Sequence, residues 1–140
     1  SLYYEAIPPH ADDPPGPAPG PFFVALDAML NGGTLQEAAL FSPQGDPVRL
    51  VALAAYYRDP EHTQYGTGWR HTVVRSGLQG PHVSLVEVKV ERVNPDGSMA
   101  AGWLPERRRF RIATGGGPAL ILDYADESAI FKTPRRGASA

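Results

Sequence analysis

The residues best suited to acid–base chemistry lie near the middle of the chain. Asp59, Glu61 and His62 form a short acidic–imidazole cluster, and a carboxylate next to an imidazole can fix the tautomer for general-base catalysis. His71 lies two residues after Trp69, so both side chains would share one face of a strand. The cluster also has a plain structural interpretation, because Asp-Pro is a common signal for the end of a helix.

The histidines and acidic residues form no familiar metal or cofactor motif. The four histidines lack the i, i+4 spacing of a helical metal site, and cysteine is absent. This composition excludes thiolate catalysis, disulfides and cysteine-rich zinc sites. The sequence also has no phosphate loop, dinucleotide-binding fingerprint, nucleophile elbow or His-Glu-x-x-His pattern. We therefore expect no metal and no cofactor.

The clearest charge run contains four arginines within residues 107–111. On a strand, Arg107, Arg109 and Arg111 would point the same way at intervals of about 6.6 Å, which suits nucleic-acid phosphates. The competing interpretation is a set of cross-strand ion pairs with Glu87 and its neighbours. The net charge of −2 gives no overall attraction to nucleic acid, which disfavours that partner.

The spacing of apolar residues, which indicates the elements that position these side chains, changes near residue 66. Before this point apolar residues recur at helical spacing, and after it they alternate, as in residues 86–91. Helices are predicted over 22–31, from Thr34 to Phe41 and over 47–58. The second would start with a capping box of Thr34 and Glu37, and the third with Asp46 as its N-cap. The third helix is apolar nearly all round, so we expect it to be buried on several sides.

The second half of the chain is predicted to consist of strands. They cover residues 69–75, 82–94, 98–104, 107–113, 119–124 and, at the end, 129–132. Asn94-Pro95-Asp96-Gly97 is typical of a hairpin turn, and adjacent Leu85 and Val86 indicate a bulge. Helices followed by strands predict an α+β fold, with helices packed on a curved antiparallel sheet. The predicted divisions are a proline-rich arm or linker over 1–21, a single α+β domain over 22–133 and a tail over 134–140.

The element order and one short motif resemble the NTF2-like (cystatin-like α+β) superfamily. The motif residues are Leu30-Asn31-Gly32-Gly33-Thr34-Leu35 and then Leu40-Phe41-Ser42-Pro43, ahead of a sheet region over 69–133. The resemblance implies a cone-shaped sheet with a pocket, which some members use as isomerases, cyclases or dehydratases and others only for binding or dimerisation. Gly33 stands where the family often has Asp, and the closing Gly-x-Trp strand is missing. No catalytic residue is therefore carried over.

Three functions remain open from the sequence. The leading hypothesis is a non-catalytic binding or assembly module that forms a homo-oligomer, because no catalytic constellation is present and the apolar segment 2–7 lies beyond a proline-rich spacer. The alternative is an NTF2-like pocket enzyme acting on a small apolar molecule. The third is a nucleic-acid-binding module that uses the arginine strand. The candidate pocket residues are Tyr56, Asp59, His62, Trp69, His71, Trp103 and Asp123.

Composition bounds the size and setting of the domain. With 140 residues and 42% hydrophobic content, the chain can build one core but not two of ordinary size. No apolar run approaches the roughly 20 residues of a membrane span. Abundant Gly, Pro, Ala and Arg with few Lys indicates a bacterial source. Two locations stay open: the cytoplasm, or an ectodomain fragment whose signal or anchor is absent.

Overall fold

The computed structural model describes residues 19–65, 68–115 and 117–126. In these residues, helices precede a four-stranded antiparallel sheet with the strand order β1-β2-β3-β4. The helices are α1 (Gly20–Asn31), α2 (Glu37–Leu40), α3 (Pro47–Arg58) and α4 (Pro60–Thr63), and the strands are β1 (Gly68–Leu78), β2 (Val83–Val93), β3 (Glu106–Ala113) and β4 (Leu120–Asp126). The predicted α+β class is confirmed. Residues 1–18, the 129–132 strand and the tail lie outside the described residues.

The first and third predicted helices form where their sequence signals place them. Helix α1 has proline in its first turn and buries Phe23 and Leu26, and the chain leaves it through Gly33 at a φ of 84°. Helix α3 begins at Asp46, whose Oδ1 accepts hydrogen bonds from the backbone N–H groups of Val48 at 3.0 Å and Arg49 at 3.3 Å. Capping chemistry therefore fixes the position of α3 along the chain.

Two predictions about the helices are wrong. Helix α2 begins at Glu37 with no side-chain cap, so the capping box with Thr34 does not form. Gln36 is extended instead of helical, and Leu35 packs against the core. Helix α3 is not buried on all sides, because Val48 and Val51 are 77% and 69% exposed. Only one side of α3 faces the sheet, where it packs on β4.

The sheet is an antiparallel meander with β2 at its centre. Val86, Val88 and Val90 are completely buried on the side facing the helices. The predicted turn after β2 is confirmed: the N–H of Gly97 donates to the carbonyl of Asn94 at 2.9 Å, and Gly97 has a φ of 89°. The alternating pattern of β2 therefore determines which side chains enter the core.

Two predictions about the strands are also wrong. Residues 98–104 form a single isolated bridge, between Val93 and Met99, and the next strand in the chain that pairs with β2 is β3. The register shifts lie elsewhere, in β1 between Val73 and Arg75 and in the pairing of β3 with β4 between Arg111 and Ile112. Strand β2 runs without a shift because Leu85 simply points to the opposite face from its neighbour and is buried there by other side chains.

No helix in the described parts of the chain combines the length and the apolar character that crossing a membrane requires.

Candidate functional site

Four of the predicted pocket residues come together in an aromatic cluster beneath α4. The ring of Tyr56 lies 4.4 Å from that of His62 and 5.6 Å from that of Trp69, measured between centroids. Trp103 closes the group at 5.7 Å from His62 and 6.0 Å from Trp69. The tilted and edge-to-face angles between these rings are the favourable ones for aromatic pairs. The cluster is thus a rigid wall built from α3, α4, β1 and the 94–105 connection.

An open cleft of about 450 Å³ lies against this cluster. Two carboxylates, a glutamine, three aromatic rings, a leucine and a glycine line it: Glu61, His62, Gln64, Tyr65, Gly102, Trp103, Leu104 and Glu106. Trp103 is held in place because its indole N–H donates to the carbonyl of Val90 at 3.2 Å. Of the predicted pocket residues, His62 and Trp103 therefore line the cleft, and Tyr56 and Trp69 support it from behind.

A backbone carbonyl fixes the imidazole of His62. Its Nδ1 lies 2.8 Å from the carbonyl oxygen of Tyr56, and because a carbonyl only accepts, Nδ1 carries a proton. Asp59 does not do this work, since its nearest oxygen is 3.9 Å from Nδ1. Asp59 caps α4 instead, accepting from the N–H of Glu61 at 2.9 Å. Nε2 is then the nitrogen of His62 that remains for a ligand or a proton.

Glu106 supplies a carboxylate to the cleft that the sequence interpretation missed. The hydroxyl of Tyr56 and the guanidinium of Arg108 both donate to its Oε1 at 2.8 Å, and its side chain is 30% exposed. Arg108 in turn stacks 4.2 Å above the ring of Tyr56. A single Glu ahead of an arginine run is typical of a solvated strand end, and Tyr65 sits in an ordinary loop sequence, so neither residue carries a local signal.

His71 belongs to a separate buried network. Its Nδ1 lies 2.6 Å from Oδ1 of Asp27, and its Nε2 lies 2.7 Å from the hydroxyl of Tyr57. The carboxylate only accepts, so Nδ1 donates to it, and Nε2 forms a hydrogen bond with the Tyr57 hydroxyl. The other oxygen of Asp27 accepts from the backbone N–H of His71 at 3.1 Å. The network links α1, α3 and β1.

Burial determines what this network can do. The His71 side chain has no exposed surface. Burial, followed by the neighbouring Tyr56, raises the pKa of Tyr57 well above its ordinary value, so its hydroxyl stays protonated at neutral pH. Tyr57 and His71 are both buried, so we interpret the Asp27–His71–Tyr57 network as a structural link between three elements.

Asp123 lies apart from the cleft, on β4. Its Oδ1 is 3.4 Å from a guanidinium nitrogen of Arg49, and the same nitrogen donates to the carbonyl of Tyr124 at 2.9 Å. Burial raises the pKa of Asp123, although the charge of Arg49 opposes the rise. This aspartate thus anchors α3 to the edge of the sheet.

The arginine strand forms cross-strand ion pairs around Glu87. Glu87 faces Arg109 in the register and receives Arg107 at 2.6 Å, Arg75 at 2.8 Å and Arg109 at 3.3 Å. Burial alone would raise the pKa of Glu87, but the hydrogen bond from Arg107, the charge of Arg109 and the pairing with Arg75 together hold it below its ordinary value. Two of the three arginines proposed for anion binding are therefore engaged by this carboxylate.

Arg111, the third member of that set, also reaches along the surface of the sheet. Its Nε donates to Oε1 of Gln79 at 2.9 Å, and this bond spans β2, because β1 and β3 flank β2 on either side. The pair covers Leu85, which faces Arg111 in the register. The face of the sheet opposite the helices is thus covered by its own long polar side chains.

In the described ranges, no three His, Asp or Glu side chains cluster closely enough to hold a metal ion. Comparison of the chain with models of protein families, with curated proteins and with solved structures found no match. Membership of the NTF2-like superfamily stays a prediction, because an α+β shape alone does not identify it.

Proposed function

We propose that the protein is a non-catalytic binding module whose cleft takes a small organic cation with an apolar part, such as an arylalkyl amine. The observation that carries the proposal is the presence of two carboxylates, Glu61 and Glu106, in the same cleft as the rings of Tyr65 and Trp103. A cation is attracted both by carboxylates and by the faces of aromatic rings.

The polar groups of the cleft support a charged ligand of this sign. The ion pair with Arg108 offsets the charge of Glu106, but both bonds described for Glu106 end on Oε1, so Oε2 retains acceptor capacity. Glu61 projects from α4, and its backbone N–H is satisfied by Asp59. Leu104, which is 80% exposed, offers an apolar rim for the uncharged part of the ligand.

The lining also does not favour acyl or imine catalysis. Among the described residues around the cleft, none is Ser, Thr, Cys or Lys, the usual nucleophiles of acyl and imine chemistry. An acid–base enzyme is the second candidate, because Nε2 of His62 remains for proton transfer once Nδ1 is bonded to the Tyr56 carbonyl. That candidate predicts turnover of an added substrate that a His62→Gln variant loses.

The binding proposal is tested by comparing 2-phenylethylamine with 2-phenylethanol, its neutral counterpart, in an amide NMR titration. The amine is expected to shift the signals of residues 61–65 and 102–106 with a dissociation constant on the order of 1 mM, as its size allows. Glu61→Gln should weaken this binding about 2–5-fold, since an exposed ionic contact contributes about 0.5–1 kcal/mol. The matched control is Glu37→Gln, an exposed acid that pairs with Arg58 outside the cleft.

The outcomes separate cleanly. Equal binding of the alcohol and the amine would show that the carboxylates do not select the ligand. Amine-induced shifts outside the cleft, or a Glu61→Gln variant that binds as the unmodified protein does, would refute the proposed site. Catalytic turnover of any amine would favour the second candidate.

A further inference from the structure

A second, apolar groove lies between α2 and α3, on the β4 side of the sheet. It measures about 330 Å³, and its apolar lining residues are Phe41, Pro43, Pro47, Leu50 and Val51. Beside it, α3 exposes 77% of Val48 and 69% of Val51. Neighbouring exposed apolar side chains next to an apolar groove are typical of a surface that another chain covers.

The groove is held open by backbone hydrogen bonds to the sheet. The N–H of Ser42 donates to the carbonyl of Ile121 at 2.8 Å, and the N–H of Asp46 donates to the carbonyl of Leu122 at 3.0 Å. Gly45 lies so close that an added Cβ would be 2.7 Å from the carbonyl oxygen of Leu122. The wall formed by residues 41–46 is therefore fixed before any partner binds, which lowers the entropic cost of docking.

We propose that this groove receives the apolar segment of residues 2–7 from a second copy of the chain. The segment contains Leu2, Tyr3, Tyr4 and Ile7 and lies outside the described residues. Tyrosine suits such a contact because it combines a large apolar ring with a polar end. The proposal concerns a surface and a partner distinct from the cleft, and it stands or falls independently of cation binding.

The spacer between the segment and α1 has the reach that the proposal needs. Residues 8–19 contain six prolines in 12 positions, a composition that favours extended polyproline geometry. At about 3.1 Å per residue, 12 residues in that geometry would extend about 37 Å, more than twice the radius of gyration of about 14 Å expected for a chain of this length. The segment can therefore reach a neighbouring molecule.

The topology favours a second copy over the segment's own groove. The spacer joins α1, which packs on β1, whereas the groove lies beside α3, which packs on β4. Strands β1 and β4 are opposite ends of the sheet order, so the spacer starts at one edge of the sheet and the groove of the same chain lies at the other. Reciprocal exchange instead closes a two-fold dimer in which each copy gives one segment and receives one.

The buried area matches a stable interface. Four apolar side chains, two of them aromatic, bury roughly 500 Å² per segment. Two segments and the two grooves that they cover then remove about 2,000 Å² from water, within reach of the roughly 1,200–2,000 Å² of specific complexes.

The test is the mass of the full chain by light scattering and sedimentation over a range of concentrations. The full chain is expected to be a dimer, and Val51→Asp, at an exposed position in the groove, should raise its dissociation constant about tenfold or more. Tyr4→Ser in the segment should act in the same direction. Val24→Asp is the control, because Val24 is 70% exposed on α1.

Three results would overturn the proposal. A monomer at every concentration would exclude exchange between copies. This holds even if amide NMR signals show that residues 2–7 occupy the groove of their own chain. A dimer that Val51→Asp leaves intact would exclude the groove. A dimer that Val51→Asp weakens but Tyr4→Ser does not would show that the groove pairs with another surface and not with the segment.

Discussion

Replacing Glu87 with glutamine tests whether the ionic network on the sheet contributes to folding. Glu87 is only 6% exposed at its side chain and contacts Arg75, Arg107 and Arg109. Arg109 is itself 2% exposed. Glutamine keeps the shape of the side chain and one hydrogen-bond acceptor, so the change removes the charge with little effect on packing.

The structure sets the size of the expected effect. Removing one partner of a buried ion pair costs about 3–5 kcal/mol, because the other charge stays buried without compensation. The side-chain carbonyl of the introduced glutamine retains part of the bonding, so we expect a loss of about 2–4 kcal/mol in the free energy of unfolding. In urea this corresponds to a midpoint lowered by about 1–2 M.

The pH dependence follows from the lowered pKa of Glu87. Its folded-state pKa lies below the ordinary value of 4.5, so the unfolded chain binds the proton more tightly than the folded protein. The stabilisation by Glu87 is therefore complete above about pH 5 and is lost as the pH falls through the folded-state pKa. The difference between the unmodified protein and Glu87→Gln should be constant from about pH 7 to 5 and should shrink below about pH 4.

Urea denaturation followed by tryptophan fluorescence at about pH 7, 5 and 3.5 measures these differences. Glu37→Gln is the matched control, because its ion pair with Arg58 is about half exposed and is worth at most about 1 kcal/mol. Equal effects of the two substitutions at neutral pH, or a Glu87 effect that does not change with pH, would refute the reasoning.

Three further predictions concern the links between elements, each measured as the urea midpoint at neutral pH. Tyr57→Phe should cost about 1–3 kcal/mol because it leaves a buried imidazole nitrogen unsatisfied, and Tyr56→Phe should cost about 1 kcal/mol or less because water reaches its partner; equal costs would contradict this ranking. Gly45→Ala should cost about 1–3 kcal/mol through its contact with the β4 backbone, whereas Gly20→Ala, which has open space, should not destabilise. Asp46→Ala should cost about 1 kcal/mol by removing the cap of α3, and an unchanged midpoint would show that proline alone starts this helix.

Local signals in the sequence were sufficient to predict where some helices begin and which way the side chains of a strand point. Asp46-Pro47 predicts the start of α3, and the alternation of residues 86–91 predicts which side chains of β2 form the apolar face that packs against the helices. The same alternation predicts cross-strand pairing between Glu87 and the arginine strand, because the face of each side chain follows directly from the period of two. Once β3 is known to be the antiparallel neighbour of β2, the register places Glu87 opposite Arg109.

Contacts between distant parts of the chain could not be predicted in this way. Asp27 and His71 are 44 residues apart, and Asp27 on an amphipathic helix resembles any solvated position. The incorrect prediction of a strand over 98–104 is different, because local residues in this segment disfavour a strand. Gly102 adopts a φ of 87°, and the proline that follows Leu104 prevents a regular strand there. The chain therefore turns at this point and carries Trp103 to the cleft.

His62 and His71 lie on either side of residue 66, where the helical pattern gives way to strands. They show why nearness in the sequence did not define the site. His71 uses both ring nitrogens, one with Asp27 and one with Tyr57, and its side chain is fully buried. His62 uses Nδ1 with a backbone carbonyl and lines an open cleft. Identical side chains nine positions apart thus have different roles, because α4 turns one toward the cleft while β1 carries the other into the core. Of these two, His62 is the residue where a ligand or a proton can be exchanged with solvent.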